Sequence, residues 1–330
     1  MQIDRRAFLA LAGTAACSRS GDPRIRRAAD FLWSQQDEDG GWHSRTYGLL
    51  RSGQSLTPFV LDALLDLRER PRGIARAVEF LRQHTNVDPV DYPNYATGLA
   101  VRAMVRAGAV GWEPMVSYLR AQQLTEENGW KPVDAPYGAW GMGGERRTPP
   151  DSGHVDLAMT RYVLEGLAAA GVKPGDPALE HALVYIGRCQ NPDGGFFFST
   201  VEAAINKAGE ADGRFLSYGS TTADGVLALR AAGVAESDSR ITRAKKWLRH
   251  HHQYDRSPGF DGPREIWGAA LRLYYAAAIR RAMPELAVLL PPQRGDGSFV
   301  NPSNLVKEDD PLIATAFALR ALVAAAKQRE

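Results

Sequence analysis

Asp151-Ser-Gly-His154-Val-Asp156 is the densest polar cluster of this 330-residue sequence, and an apolar helical pattern follows it. If the segment opens a helix, Asp151 and His154 share a face, and Asp156 points about 160° away from His154. A carboxylate and an imidazole on one face make an acid–base pair or two ligands of a metal. A capping Asp beside an incidental His fits the same residues, and neither a metal nor a cofactor is expected. Glu265 and Asp310 stand at the heads of two other helical patterns. Asp151, His154, Glu265 and Asp310 are therefore the catalytic candidates. Asp151, Glu265 and Asp310 would serve glycoside chemistry if two of them face each other roughly 5.5 Å or 6.5–9.5 Å apart. Tyr95, Asp156, Tyr218, Thr222 and Trp267 at helix heads, with Trp140 in a long loop, are the candidates for holding a small molecule. His250, His251 and His252 end a helical pattern and read as solvent-facing, and Cys189, at another helix end, reads as a packed thiol.

These residues are positioned by a repeat. Phe31-Leu32 leads through Gln35-Gln36 to Gly40-Gly41-Trp42; Tyr118-Leu119 leads through Gln122-Gln123 to Gly129-Trp130; Tyr185-Ile186 leads through Gln190 to Gly194-Gly195-Phe196. Weaker copies run through Gln253 to Gly259-Phe260 and from Gln293 to Gly297-Ser298-Phe299, and Phe80-Leu81-Arg82-Gln83 is degenerate. The glutamines at 36, 83, 123, 190, 253 and 293 are 47, 40, 67, 63 and 40 residues apart. Each closes an amphipathic helix, and each is followed by a more apolar one, at 58–68, 95–107, 154–170, 221–232, 265–280 and 311–325. Six outer–inner pairs predict an all-α (α/α)6 ring of twelve helices. Its sixth outer helix, at 283–290, is the shortest and is bounded by Pro284 and Pro291. The two long intervals place extra chain at 131–152 and 197–217, on the face where the inner helices begin, and long loops on one face of a repeat architecture usually carry function. Six helix N-termini around one cavity favour an anionic group, although Thr57, Ser152, Ser220 and Asp309 are ordinary N-caps.

The Gln-to-Gly-Trp spacing, best at Gln36 and Gln123, resembles the QW motif of squalene and terpene cyclases, shared more loosely by protein prenyltransferase β subunits. The resemblance covers nearly all of the chain after residue 16 and implies an α/α toroid whose QW copies clamp repeats together rather than catalyse. A hydrophobic, isoprenoid-type ligand in the central cavity is what it implies about binding. The family's chemistry is not implied with it. No Asp-x-Asp-Asp acid occurs, Asp309-Asp310-Pro311 being the nearest acidic pair, and Cys189 on an outer helix leaves no Asp, Cys and His to hold zinc. Two alternatives stay open: a carbohydrate-active (α/α)6 enzyme, and a non-catalytic binding scaffold.

A 44% apolar composition is too rich for disorder, and two cysteines are too few for a disulfide scaffold. A net charge of +2 gives no reason to expect nucleic acid as partner. Residues 1–16 read as an export signal: Arg5-Arg6 precedes a short apolar run and small residues before Cys17. Asp4-Arg5-Arg6-Ala7-Phe8-Leu9 resembles a twin-arginine signal, and Thr14-Ala15-Ala16-Cys17 resembles a bacterial lipobox. The expectation is a periplasmic or cell-envelope protein, with residues 17–330 forming one toroid tethered to the membrane by a lipid on Cys17. An ordinary cleaved signal with an incidental cysteine is the alternative.

Overall fold

Outer and inner helices alternate along the chain. In this computed structural model, which describes residues 22–67, 73–85 and 91–327, the first pair is α1 (Pro23–Ser34) and α2 (Leu56–Leu64). The following pairs are α3 (Gly73–His84) with α4 (Pro93–Ala107), α5 (Glu113–Gln122) with α6 (Leu157–Ala169), and α7 (Pro177–Arg188) with α8 (Gly219–Ala231). Then come α9 (Ser239–His251), a short α10 (Glu265–Ala270) leading into α11 (Arg272–Ala282), and α12 (Pro311–Lys327). A two-residue hairpin, β1 (Glu210–Ala211) against β2 (Arg214–Phe215), decorates the α7–α8 loop. The segment 1–16 and Cys17 lie outside the described residues.

Local chemistry sets the ends of these helices. Asp22, Asp176 and Asp238 each cap an outer helix by accepting from the backbone N–H two residues on, at 2.8–3.0 Å, and Pro23 and Pro177 begin two of them. The outer helices bury one stripe; on α1 it is Ile25, Ala28, Phe31 and Leu32. The inner helices are sandwiched instead, so every residue from Leu157 to Leu167 of α6 and from Gly219 to Leu229 of α8 is buried. Neighbouring inner helices pack in the order α2, α4, α6, α8, α11, α12, and α12 returns onto α2. The chain is thus an all-α toroid.

The sixth outer position differs from the other five. Residues 283–290 form no helix, because Pro284 follows directly on the end of α11 and Pro291 closes a stretch too short to restart one. The inner member, α12, is packed against by α1, which closes the ring.

The glutamine repeat supplies the stitching. Gln36 donates to the carbonyl oxygens of Gly40 and Gly73, Gln190 to those of Gly194 and Arg240, and Gln293 to those of Gly297 and Arg24, all at 2.8–3.0 Å. Each glutamine therefore joins its own turn to the beginning of the next outer helix, and Gln293 does so across the ring closure. Gln123 does the same with Gly138 and Ala178, at 2.9 and 2.8 Å. Its partner glycine is fifteen residues away rather than four. The expected Gly129-Trp130 ending is thus an insertion, and the clamp uses Gly138 and Trp140. Gly138 sits at φ 86°, and a Cβ there would come 1.9 Å from the His181 carbonyl oxygen, so this turn admits only glycine.

Candidate functional site

Moving inward from the clamps, the first turns of the inner helices enclose a cavity of about 460 Å³. Five of the six inner helices present a stripe to the cavity, and α8 does not. Leu56 and Phe59 come from α2, Tyr95 and Leu99 from α4, Tyr162 from α6, Tyr274 from α11, and Ile313 and Phe317 from α12. These rings pack edge-on into a belt. Phe317 lies between Phe59 and Tyr274, at centroid distances of 4.9 and 5.3 Å, and Tyr95 lies 5.3 Å from Tyr162 and 6.5 Å from Tyr92. The long loops complete the wall: Met142 comes from 131–152, and Phe198, Ala204, Ile205 and Lys207 come from 197–217.

Polar groups are few and lie at the rim. His154 Nε2 is 2.8 Å from Asp156 Oδ2, while Asp156 Oδ1 accepts from the Met159 N–H and so caps α6. The imidazole is partly exposed to the cavity, and Glu202 stands 3.6 Å from its Nδ1. Its hydrogen bond to Asp156 raises the His154 pKa above 6.5, more than partial burial lowers it. Opposite in character is Glu308, whose carboxyl burial raises to about 7 although the Leu273 and Tyr274 N–H groups and the Asn301 amide donate to it. Glu308 thus caps the start of α11, and Asn301 caps the end of α10 by donating to the Ala269 and Ala270 carbonyls. Tyr92 and Lys307, two of the three non-glycine residues with positive φ among the described residues, both line the rim at φ 49° and 64°.

The His154–Asp156 pair has a pH signature. Because the folded pKa is raised, the protonated imidazole stabilises the fold fully below the ordinary value near 6.5, and that contribution is lost as pH rises through the raised value. Asp156→Asn is expected to move the His154 titration to lower pH in a histidine NMR experiment. An unmoved titration would show that Asp156 does not set it.

One helical turn below the belt the same stripes become charged. Asp62, Arg102, Glu165 and Arg320 follow Phe59, Leu99, Tyr162 and Phe317 by three residues each. Asp62, fully buried, binds Arg320 at 2.6 Å and Arg102 at 3.4 Å, and also pairs with Arg106. Glu165 pairs with Arg102, with Arg281 at 2.9 Å and with Arg161 at 3.1 Å. Arg161 reaches Asp224 at 3.1 Å, and the Tyr274 hydroxyl donates to Asp224 at 2.7 Å. Burial holds the Asp224 carboxyl up, at about 6, against the pull of Arg161.

The candidates read from the sequence divide accordingly. Tyr95, His154, Asp156 and Trp267 line the cavity. Asp151 does not: it is exposed, it pairs with Arg147 at 2.7 Å, and α6 begins only at Leu157, so no helical face carries it toward His154. Glu265 is exposed at the start of α10 and is absent from the cavity wall. Asp310 is buried but occupied as the cap of α12, accepting from the Leu312 N–H and the Ser44 hydroxyl. Trp140 and Thr222 are clamp residues rather than ligand contacts. The Trp140 indole donates to the Leu119 carbonyl, as the Trp42 indole does to Leu32, and the Thr222 hydroxyl accepts from the Phe196 N–H, as Thr57 does from Trp42. Tyr218 lies one layer behind the wall, against Phe260 at 5.0 Å. Phe59, Tyr162, Tyr274, Phe317 and Glu308 were missed. The signal that finds the first two and Phe317 is an aromatic residue three positions before a charge on an otherwise apolar helix. Cys189 is fully buried, its thiol pushed well up by burial, as expected of a packed thiol.

A family model of the squalene-hopene cyclase C-terminal domain matches residues 153–262. No curated protein matches the chain. Among solved structures, the type II terpene cyclase MstE from Scytonema, in its apo form, is similar over 92% of this chain and 98% of its own, at TM-score 0.57 and 17% identity. A variant of that enzyme in complex with its substrate, geranylgeranyl dihydroxybenzoate, aligns over 92% of this chain and 97% of its own at TM-score 0.58 and 17% identity. An unsaturated glucuronyl hydrolase specific for heparin is similar over 93% of this chain and 96% of its own, at TM-score 0.60 and 14% identity. These likenesses establish a terpene cyclase-like toroid fold.

Proposed function

We propose that the toroid binds a hydrophobic, isoprenoid-like molecule in its central cavity, with the His154–Asp156 pair placed to give or take a proton at its rim. The observation that carries this reading is the belt of Phe59, Tyr95, Tyr162, Tyr274 and Phe317 around about 460 Å³, a size suited to a small molecule. Aromatic faces suit apolar chains and any cationic character developed on them. The likeness to MstE, whose substrate complex holds a geranylgeranyl compound, points the same way. Without an Asp-x-Asp-Asp motif, proton transfer in this chain would fall to groups at the rim. The carbohydrate reading shares the fold with the glucuronyl hydrolase but finds no facing pair among Asp151, Glu265 and Asp310.

Organic extraction of the purified full chain followed by mass spectrometry tests the proposal: a co-purifying polyprenoid is the expected result. Phe317→Ala is expected to weaken its retention about tenfold, because truncation removes one ring from the belt. A cavity that retains no lipid but binds an oligosaccharide would overturn the reading.

We also propose export and tethering through Cys17. Cys17→Ser is expected to shift the protein from the membrane fraction to the soluble envelope fraction, and an unchanged distribution would remove the lipid anchor.

A further inference from the structure

Lys207 is a cavity-lining cation whose chemistry the cavity's binding role does not use. Its ammonium nitrogen sits 4.3 Å from the centroid of the Phe198 ring and 5.8 Å from that of Trp267, with Ala204, Ile205 and Leu271 also on its wall. Among the described residues Nζ makes no hydrogen bond and no ion pair. A solvated surface lysine would not need a built loop, yet this one has it. Asn206, buried beside it, accepts from the Phe198 and Ser199 N–H groups and donates to the Ser199 and Glu202 carbonyls. The Lys207 carbonyl is in turn held by Arg264 at 2.9 Å. Five hydrogen bonds therefore hold the backbone around an amine that has no hydrogen-bond or ion-pair partner among the described residues. Burial lowers the Lys207 pKa, which favours the free amine. His154, the proton carrier of the rim, packs against the other side of the arrangement, its ring 6.4 Å from that of Phe198.

We propose that Lys207 forms an imine with an aldehyde or ketone carried by an apolar ligand of this cavity. The inference rests on the reading that the cavity takes a hydrophobic ligand, and adds a carbonyl to it. The free amine forms a C–N bond to the carbonyl carbon while the C=O π pair moves to oxygen, and a proton passes from nitrogen to that oxygen to give the carbinolamine. Protonated His154 then gives a proton to the hydroxyl, which leaves as water with its bonding pair as the nitrogen lone pair closes C=N. The iminium proton returns to His154, so amine and carbonyl have become imine and water with no oxidant or reductant consumed. The Phe198 and Trp267 faces stabilise the cationic iminium as they do the ammonium.

The test is reductive trapping on the full chain with citronellal, an unconjugated isoprenoid aldehyde, and cyanoborohydride, followed by peptide mapping. The chain has seven lysines, and the six besides Lys207 serve as internal controls. Expected is a reductant-dependent adduct on Lys207, formed about tenfold faster than on Lys131, Lys173 or the others. Lys207→Arg keeps the charge and Lys207→Met the apolar bulk; both are expected to lose the adduct while still binding citronellol, the matching alcohol, by calorimetry. Equal labelling of all lysines, or adduct yield unchanged in either variant, overturns the proposal. Citronellol binding without a Lys207 adduct sinks the imine alone. Failure of the wild-type chain to bind either compound removes the hydrophobic-ligand reading and the imine with it.

Discussion

Replacing Asp62 with alanine is expected to cost about 3–5 kcal/mol of stability, the range found when one partner of a buried ion pair is removed. Burial alone would raise this carboxyl, but Arg102, Arg320 and Arg106 overcome it and hold the pKa well below the usual carboxylate range. Without Asp62, Arg320, only 4% exposed, keeps a hydrogen bond to the Phe59 carbonyl at 3.4 Å and the face of the Phe59 ring, but no carboxylate. Arg102, Arg106, Arg161, Arg281 and Arg320 would then share Asp66, Glu165 and Asp224, and Asp224 is itself raised to about 6. The uncompensated charge lies directly beneath the aromatic belt, so ligand affinity should fall as well. Urea titration would read the loss as a lower midpoint at constant slope. Asp62→Asn, which keeps shape and removes charge, is expected to cost a comparable amount. If both variants lose less than about 1 kcal/mol, the pairs are behaving as solvated surface bridges.

Trp140→Ala is the second large effect, at about 3–5 kcal/mol for deleting a fully buried ring. The indole donates to the Leu119 carbonyl at 2.7 Å, and its turn carries Gly138, to which Gln123 is bonded. The variant should unfold at lower temperature, while what still folds keeps its ligand affinity, since Trp140 is absent from the cavity wall. Trp267→Ala should do the reverse, with affinity falling and stability changing little, because Trp267 is only partly buried and lines the cavity. Were Trp140→Ala to abolish binding at full stability, its assignment to the clamp would be wrong.

Much of this architecture is legible in one dimension. The glutamine and glycine–aromatic turns recur because each must meet the same neighbour, the first turn of the next outer helix, so one local chemistry is repeated along the chain. The face bearing the two long loops followed from interval lengths alone. Individual site residues were less legible. Asp156 and Asp310 are both buried caps at helix heads, yet one borders the cavity and holds His154, while the other bonds Ser44, a residue 266 positions away. Trp130 and Trp140 both follow Gly-containing turns, and only the fifteen-residue reach of Gln123 decides which one is the clamp.

What is legible in the sequence is therefore periodic: an all-α ring, its stitched turns, and the face that carries the two long loops. Tertiary structure decided which side chains face the axis. On helices buried all round, hydrophobicity no longer distinguishes inside from outside. Ring closure chose the stripe of Phe59, Tyr95, Tyr162, Tyr274 and Phe317, set the charged layer beneath it, and left Lys207 on the cavity wall with aromatic faces but, among the described residues, no hydrogen-bond or ion-pair partner.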